Sequence, residues 1–518
     1  MSGPTRDEFV ALARDYTVVP VWREVLADLE TPVSAFAKLV GDREGFLLES
    51  VEHGEHWGRF SFIGRDPALT LVAHGHQVEI SGGATTPGLP RDRGILVALE
   101  ELLSWYRAPT LPDLPPFHGG LVGYLGYDLG RRLERIPTIA AVDQDLPELR
   151  LALHDWVLAW DTRTGRAWLA GRAVDGDAGA LHRRLADVGR RIDTLAPVRA
   201  RALPPPLATG PGRATRPGVL RLEFRSGIDR PGWTERIAAV RDAIASGEIY
   251  QANLARRFEA PFAADPWLLH RRLRAFDPAP YAAYLDLGRG RAIVSASPES
   301  FLSIDAGGRI AADPIKGTRP RGATPADDRR LLRDLLRSAK DRAENTMIVD
   351  VLRNDLGRIS RPGSVRVMRL LRPERTTRVQ HLVSSLAGYL APGRDPFDLL
   401  AASFPGGSIT GAPKIRAMAV IERLEPVRRG PYSGALGWIG PDGAMATSIM
   451  IRTFVADGER LTLHVGGGIT WRSNADDEWD ETVAKAAGPL DAIGALEVGG
   501  PVVGARALGG RALGGSAR

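Results

Sequence analysis

Short apolar runs alternate with turn residues along the first part of the chain. FLLES (Phe46–Ser50), RFSFIG (Arg59–Gly64), ALTLVA and LALHDWVLAW are aliphatic and aromatic runs of strand length, and each predicts a strand. ILVALEELLSWY repeats its apolar positions at three and four residues, which predicts a helix. From about Leu220 the pattern is denser. WTERIAAVRDAIASGEIYQ reads as an amphipathic helix stopped at Ser246 and Gly247. NLARRFEA, YAAYLDL and AIVSASP read as strands, and PADDRRLLRDLLRSAKDRAENTMIVDVLRNDLGRI as mostly helical. LTLHVGGGIT is a strand running into glycines. The stretch APVRARALPPPLATGPGRATRPG has no periodicity and reads as a linker. The expected division is an amino-terminal part at 1–195, a linker at 196–219, a catalytic part at 220–489 and an unstructured tail at 490–518. The architecture is mixed α/β in two intertwined parts, the second carrying the chemistry.

Composition changes this picture only by exclusion. At 518 residues the chain exceeds one ordinary core, so more than one subdomain is expected. No apolar run approaches the length of a membrane span, and MSGPTRDEFVALARDY has no apolar leader region, so a cytoplasmic location without membrane contact is expected. Cysteine is absent, which excludes disulfides, thiolate metal sites and a cysteine nucleophile. A net charge of +6 suits an anionic small molecule as well as a nucleic acid. The basic residues are dispersed and form no basic–aromatic module, so nucleic acid is not the expected partner.

Several stretches could carry chemistry. ADPIKGTRPRG (Ala312–Gly322) sets Lys316 among turn-forming residues with Arg319 and Arg321 close behind, a pattern that also fits a solvated loop. Asp341 and Glu344 share one helix face, as do Glu478 and Glu481, with Lys485 one turn beyond. Two carboxylate pairs from separate helices suit Mg2+, which takes few protein oxygens; the alternative is a pair of solvated, ion-paired helices. FPGGSITGAPK is no phosphate loop, because Ala412 and Pro413 follow its last glycine. Gly466, Gly467 and Gly468 allow close backbone approach by a ligand. His381 and Arg452 interrupt apolar stretches, where a buried polar group needs a partner. Tyr432 lies in GPYSGALGW.

PIKGTRPRG, KDRAENTMIVDVLRNDLGR, FPGGSITGAPK, PYSGALGW, SIMIRT and HVGGGITW together resemble the chorismate-utilising enzymes, over roughly Trp233 to Pro489. FLLES through RFSFIGRDP extends the resemblance into the first part. It implies two large packed β-sheets flanked by helices, with Mg2+ holding the carboxylate of chorismate. Metal ligation then falls to Glu344 and Glu481, with Asp341 and Glu478 outside them. Substrate contacts fall to Gly317, Thr318, Thr410, Tyr432, Arg452, Gly466, Gly467, Gly468 and Lys485, and catalysis to Lys316, His381 and Gln251. A regulatory tryptophan pocket is implied at Ser50, Pro280 and Tyr281, although PAPYAAYL departs from the PSPYMF form that completes it.

Within the family, Gln251 stands where isochorismate and salicylate synthases carry a lysine base, and a glutamine cannot activate water. That leaves the two enzymes that use ammonia. Lys316 in PIKGT, with AEN at Ala343–Asn345, resembles aminodeoxychorismate synthase component I. This resemblance implies amination at C4 through a covalent Lys316 adduct, giving 4-amino-4-deoxychorismate for 4-aminobenzoate synthesis. The alternative is anthranilate synthase component I, which aminates at C2 and releases pyruvate. Either enzyme implies a separate glutaminase subunit as ammonia source, because a chain without cysteine cannot host a cysteine-based amidotransferase.

Overall fold

The computed structural model describes residues 2–497, apart from 26–29, 41–42, 52–57, 76, 85–87, 90–93, 113, 175–177, 195–221 and 377. The expected linker at 196–219 and residues 498–518 of the expected tail lie outside the described residues. Residues ahead of that point are ordered into the fold: the Ala475–Ile493 helix runs past 490, and Leu496–Glu497 pairs with Glu223–Ser226.

Two large, almost wholly antiparallel sheets make up the protein, of fourteen and eleven strands among the described residues. They pack face to face. Phe46, Phe62, Val157 and Ile293 from the first sheet meet Val122, Tyr124, Leu436 and Trp438 from the second, around a fully buried Phe117. Phe117 stacks on Trp438 at 4.9 Å and meets Phe62 edge-on at 5.5 Å. Each fully buried ring here contributes about 1.5–3 kcal/mol by leaving water, so this layer locks the sheets together. Helices cover the outer faces. Pro32–Leu39, Pro266–Phe276 and Ala475–Ile493 pack on the first sheet, and Ile95–Trp105, Ala339–Gly357 and Pro396–Ser403 on the second.

Both sheets draw strands from early and late sequence. Gly45–Glu49 pairs with Tyr281–Gly288, and Ala435–Ile439 with Gly120–Leu125. The expected helix stop is present: Arg230–Ala245 ends at Ser246, and Gly247 takes φ 78°, a left-handed cap that glycine adopts without strain. LALHDWVLAW is not one strand. Leu149–His154 belongs to the second sheet and Trp156–Asp161 to the first, with the chain crossing at Asp155. Both strands are almost completely buried, so no polar alternation marks the crossing. The long helical segment is likewise two helices, Pro325–Arg337 and Ala339–Gly357, broken at Ser338.

Candidate active site

The two sheets and two helices meet around a cavity of about 640 Å³. One wall is the Ile315–Pro320 strand, paired to Val379–Tyr389 with Thr318 opposite His381. The register slips between Ile315 and Thr318, and Gly317 sits in that bulge with φ 92°. A Cβ on Gly317 would lie 2.9 Å from Asp341 Cβ, so only glycine lets this strand lie against the Ala339–Gly357 helix. The bulge turns Lys316 inward, where Nζ donates to the Ser408 carbonyl at 2.7 Å. Thr318 Oγ1 and His381 Nδ1 are 2.9 Å apart. Burial, helped by the nearby Arg452, pushes His381 down to about 3, so the ring is neutral in any ordinary buffer.

The opposite wall carries the carboxylates. Ser338 caps the Ala339–Gly357 helix by accepting from Asp341 N–H, and so fixes the first turn that presents Asp341 and Glu344. Asp341 pairs with Arg319 at 3.1 Å. Burial raises the Glu344 carboxyl, with Lys316 and Lys340 opposing, and its Oε1 is buried without a hydrogen-bond partner among the described residues. The Ala475–Ile493 helix supplies Glu478, paired with Lys340 at 3.2 Å, and Glu481, paired with Lys485 at 2.7 Å. Burial works against the Glu481 charge, but Lys485, Lys340 and Lys316 outweigh it and hold that carboxyl low. Between the helices runs the glycine strand, with Gly466, Gly467 and Gly468 opposite Ala255, Leu254 and Asn253. A Cβ on Gly467 would approach Glu481 Oε1 at 3.4 Å, and one on Gly468 would approach Glu344 Oε2 at 3.7 Å. A Cβ on Gly468 would also collide with Gln251 Nε2, so these glycines let Gln251 and the two carboxylates close on the strand. Lys485 Nζ also donates to Gly466 O at 2.8 Å.

The third side holds Tyr432 and Arg452. Tyr432 stacks on His464 at 4.9 Å with the rings nearly parallel. Arg452 lies in the turn before Thr453–Asp457 with φ 49°, a strained conformation that aims its guanidinium into the cavity, 3.9 Å from Asp277. Lys316, Gly317, Thr318, Asp341, Glu344, His381, Tyr432, Arg452, Gly466, Gly468, Glu481 and Lys485 therefore share one cavity. Gln251, Thr410, Gly467 and Glu478 stand just behind its surface. Gln251 is buried under Gly468, and the Thr410 hydroxyl is held by Gly406 O at 2.9 Å. Lys340, Asn253, Glu299 and Arg378 also line the cavity. Lys340 and Asn253 were visible in KDRAEN and QANLARR, but nothing in a sequence tells which neighbours of a motif turn inward.

Ser50, Pro280 and Tyr281 line a second, separate cavity of about 190 Å³ with Leu48, Phe60 and Trp438. Ser50 Oγ is buried there without a hydrogen-bond partner among the described residues. Glu49, next in line, is held by Arg274 in a bidentate pair at 2.6 and 2.7 Å.

Comparison with known proteins adds three findings. Residues 49–491 match the sequence pattern of the chorismate binding enzymes. Anthranilate synthase component 1 of Streptomyces coelicolor is 41% identical over 95% of this chain and 92% of its own length. That of Synechocystis is 39% identical over 96% of this chain and 100% of its own length. Among solved structures, anthranilate synthase component I from Streptococcus pneumoniae superposes with a TM-score of 0.72 at 28% identity, covering 90% of this chain and 99% of that one. The menaquinone-specific isochorismate synthase of Escherichia coli gives 0.66 at 19% identity and shares the fold.

These relatives overturn the expectation of C4 amination and of closest kinship to aminodeoxychorismate synthase. Several at 36% to 41% identity over at least 93% of the chain are anthranilate synthase component 1. Lys316, one position among about 500 aligned, carries too little weight against them. Its Nζ also donates to the Ser408 carbonyl at 2.7 Å. By sequence over most of its length and by fold, the chain belongs to the chorismate binding enzyme family.

Proposed function

We propose that this chain is the chorismate-aminating component of an anthranilate synthase. The observation that carries the reading is that the family motifs line one cavity in a chain 39–41% identical, over 95–96% of its length, to anthranilate synthase component 1. Ammonia adds at C2 of chorismate, both ring double bonds shift and the C4 hydroxyl departs as water. Loss of the C2 proton and of the enolpyruvyl group as pyruvate then gives the aromatic ring. The balance is chorismate plus ammonia to anthranilate, pyruvate and water.

In this reading Arg452 and Tyr432 hold one substrate carboxylate, and the peptide groups of Gly466–Gly468 lie against it. His381, neutral and oriented by Thr318, hydrogen-bonds the departing C4 oxygen through Nε2–H, and the proton that makes it water comes from the newly added ammonium group. Lys316 and Lys485 supply positive charge around the dianionic substrate. Among the described residues no three carboxylate or imidazole groups converge to cage a metal. The buried, unpartnered Glu344 Oε1 and the Glu481 carboxylate lining the same cavity still fit Mg2+, which shares its shell with water and substrate oxygens. Bound there by Glu344 and Glu481, the ion would supply charge for the substrate carboxylate.

Ammonia comes, in this reading, from a separate glutaminase, because no cysteine is available in the chain. The cavity at Ser50, Pro280 and Tyr281 is read as the pocket for an inhibitory indole amino acid. The test is incubation of the purified chain with chorismate, Mg2+ and an ammonium salt. Anthranilate fluorescence with one equivalent of pyruvate is expected, and glutamine should not replace the ammonium salt. An aminated product that keeps its enolpyruvyl group would refute the reading.

A further inference from the structure

Each of three carboxylates around the cavity has its own cation. Arg319 reaches Asp341 at 3.1 Å, Lys485 reaches Glu481 at 2.7 Å, and Lys340 reaches Glu478 at 3.2 Å. Glu344 has no such close partner, and Lys316 acts on it only through its field. Arg319 also pairs with Asp334 at 2.6 Å and Lys316 also acts on Glu299, so the cations offset part of the negative charge of the four carboxylates before any metal enters. Of these cations Lys340 is the least expected. It is the second residue of the Ala339–Gly357 helix, where the exposed N–H groups disfavour positive charge. Its partner Glu478 is almost fully buried, on the other carboxylate-bearing helix. Lys340 Nζ donates to Glu478 Oε1 and so links those two helices. Glu344 and Glu481 also lie within its field.

We infer that Lys340 is a positioning residue that sets Mg2+ affinity: it fixes Glu478 across the helix gap and offsets part of the negative charge of Glu344 and Glu481, so that Mg2+ binds better together with the dianionic substrate than alone. The inference rests on the carboxylates being the Mg2+ site proposed above. Because Lys340 holds Glu478, it can stay in place when Glu344 and Glu481 take the ion. A bound divalent cation adds two positive charges, the complement of the two carboxylates of chorismate. Mg2+ alone meets carboxylates whose charge is already partly offset.

The test is calorimetric titration of Mg2+ into the full chain without chorismate, for wild type, K340M, K340R and E478Q. Removing the lysine charge should tighten Mg2+ binding about tenfold, the scale of one partly screened charge. E478Q should weaken it, and K340R should restore wild-type affinity. In steady state K340M should raise KM for chorismate more than it lowers kcat. Equal Mg2+ affinity in wild type and K340M, or weaker binding in K340M, would overturn the role of Lys340 alone. Absence of saturable Mg2+ binding when the titration is repeated with chorismate present would overturn the metal-site reading and this inference with it. Lys340 is half-exposed, and K340R keeps the charge, so a folding defect would separate from the electrostatic effect.

Discussion

Gly317 shows how one backbone position holds the site together. Its φ of 92° and the 2.9 Å approach of Asp341 leave no room for a side chain. Gly317→Ala should store roughly 1–3 kcal/mol of strain, relieved by moving the strand away from the carboxylate helix. The expected result is a loss of at least about fivefold in kcat/KM, the lower end of that strain range converted, with cooperative unfolding kept. Unchanged turnover would show that the approach is not needed. At this scale the sequence was informative wherever a residue type has one physical use. The glycines of HVGGGIT could be read as close-approach positions, and Glu344 and Glu481 as oxygen ligands, whereas Gly317 by its type read only as a turn residue. Lys340 could not, because a lysine beside acidic residues looks the same whether it faces water or a buried carboxylate.

The break at Ser338 works at the level of the element. One residue ends the Pro325–Arg337 helix and caps the next, so the direction of Asp341 and Glu344 is set by the hydroxyl that accepts from Asp341 N–H at 3.2 Å. Ser338→Ala should remove about 1 kcal/mol of capping. Thermal unfolding should show a small drop in midpoint, and the Mg2+ concentration needed for half-maximal activity should rise. A lower midpoint with unchanged Mg2+ dependence would mean that the cap stabilises the helix without orienting its carboxylates. Most strands and helices were legible from apolar spacing, and the stop at Ser246 from cap chemistry. The sheet change at Asp155 was not, since LALHDWVLAW is apolar on both faces whichever sheet it joins. Nor does PADDRRLLRDLLRSAKDRAEN announce a break, because Ser338 lies among good helix formers.

At the scale of the whole molecule, five histidines among the described residues are buried and held neutral. Burial pushes His154, His270 and His381 down to about 3, and His118 and His464 well below the usual range. An unfolded chain takes protons on these rings near pH 6.5, so between 6.5 and about 3 the unfolded state binds more protons. Their contribution is fully present above pH 6.5 and is lost progressively as pH falls toward 3. The limiting slope is about 1.4 kcal/mol per pH unit for each ring. Denaturant midpoints should therefore drop steeply from pH 7.5 to 5.0. His270→Phe should flatten the drop, because His270 stacks on Trp267 at 5.2 Å and its Nε2 has no hydrogen-bond partner among the described residues. A flat profile in the wild type would contradict these environments.

The interleaving of the two sheets also governs how the protein comes off the ribosome. Gly45–Glu49 must wait for Tyr281–Gly288, more than two hundred residues later in the chain. Gly120–Leu125 waits longer still for Ala435–Ile439. At about 5–20 residues per second, the first of these delays alone is on the order of 10–50 seconds. During that time apolar strands such as FLLES and RFSFIG emerge with one edge unpaired, which is the condition under which nascent chains stick to one another. Production of this protein is thus tied to whatever shields an emerging strand until its distant neighbour is made.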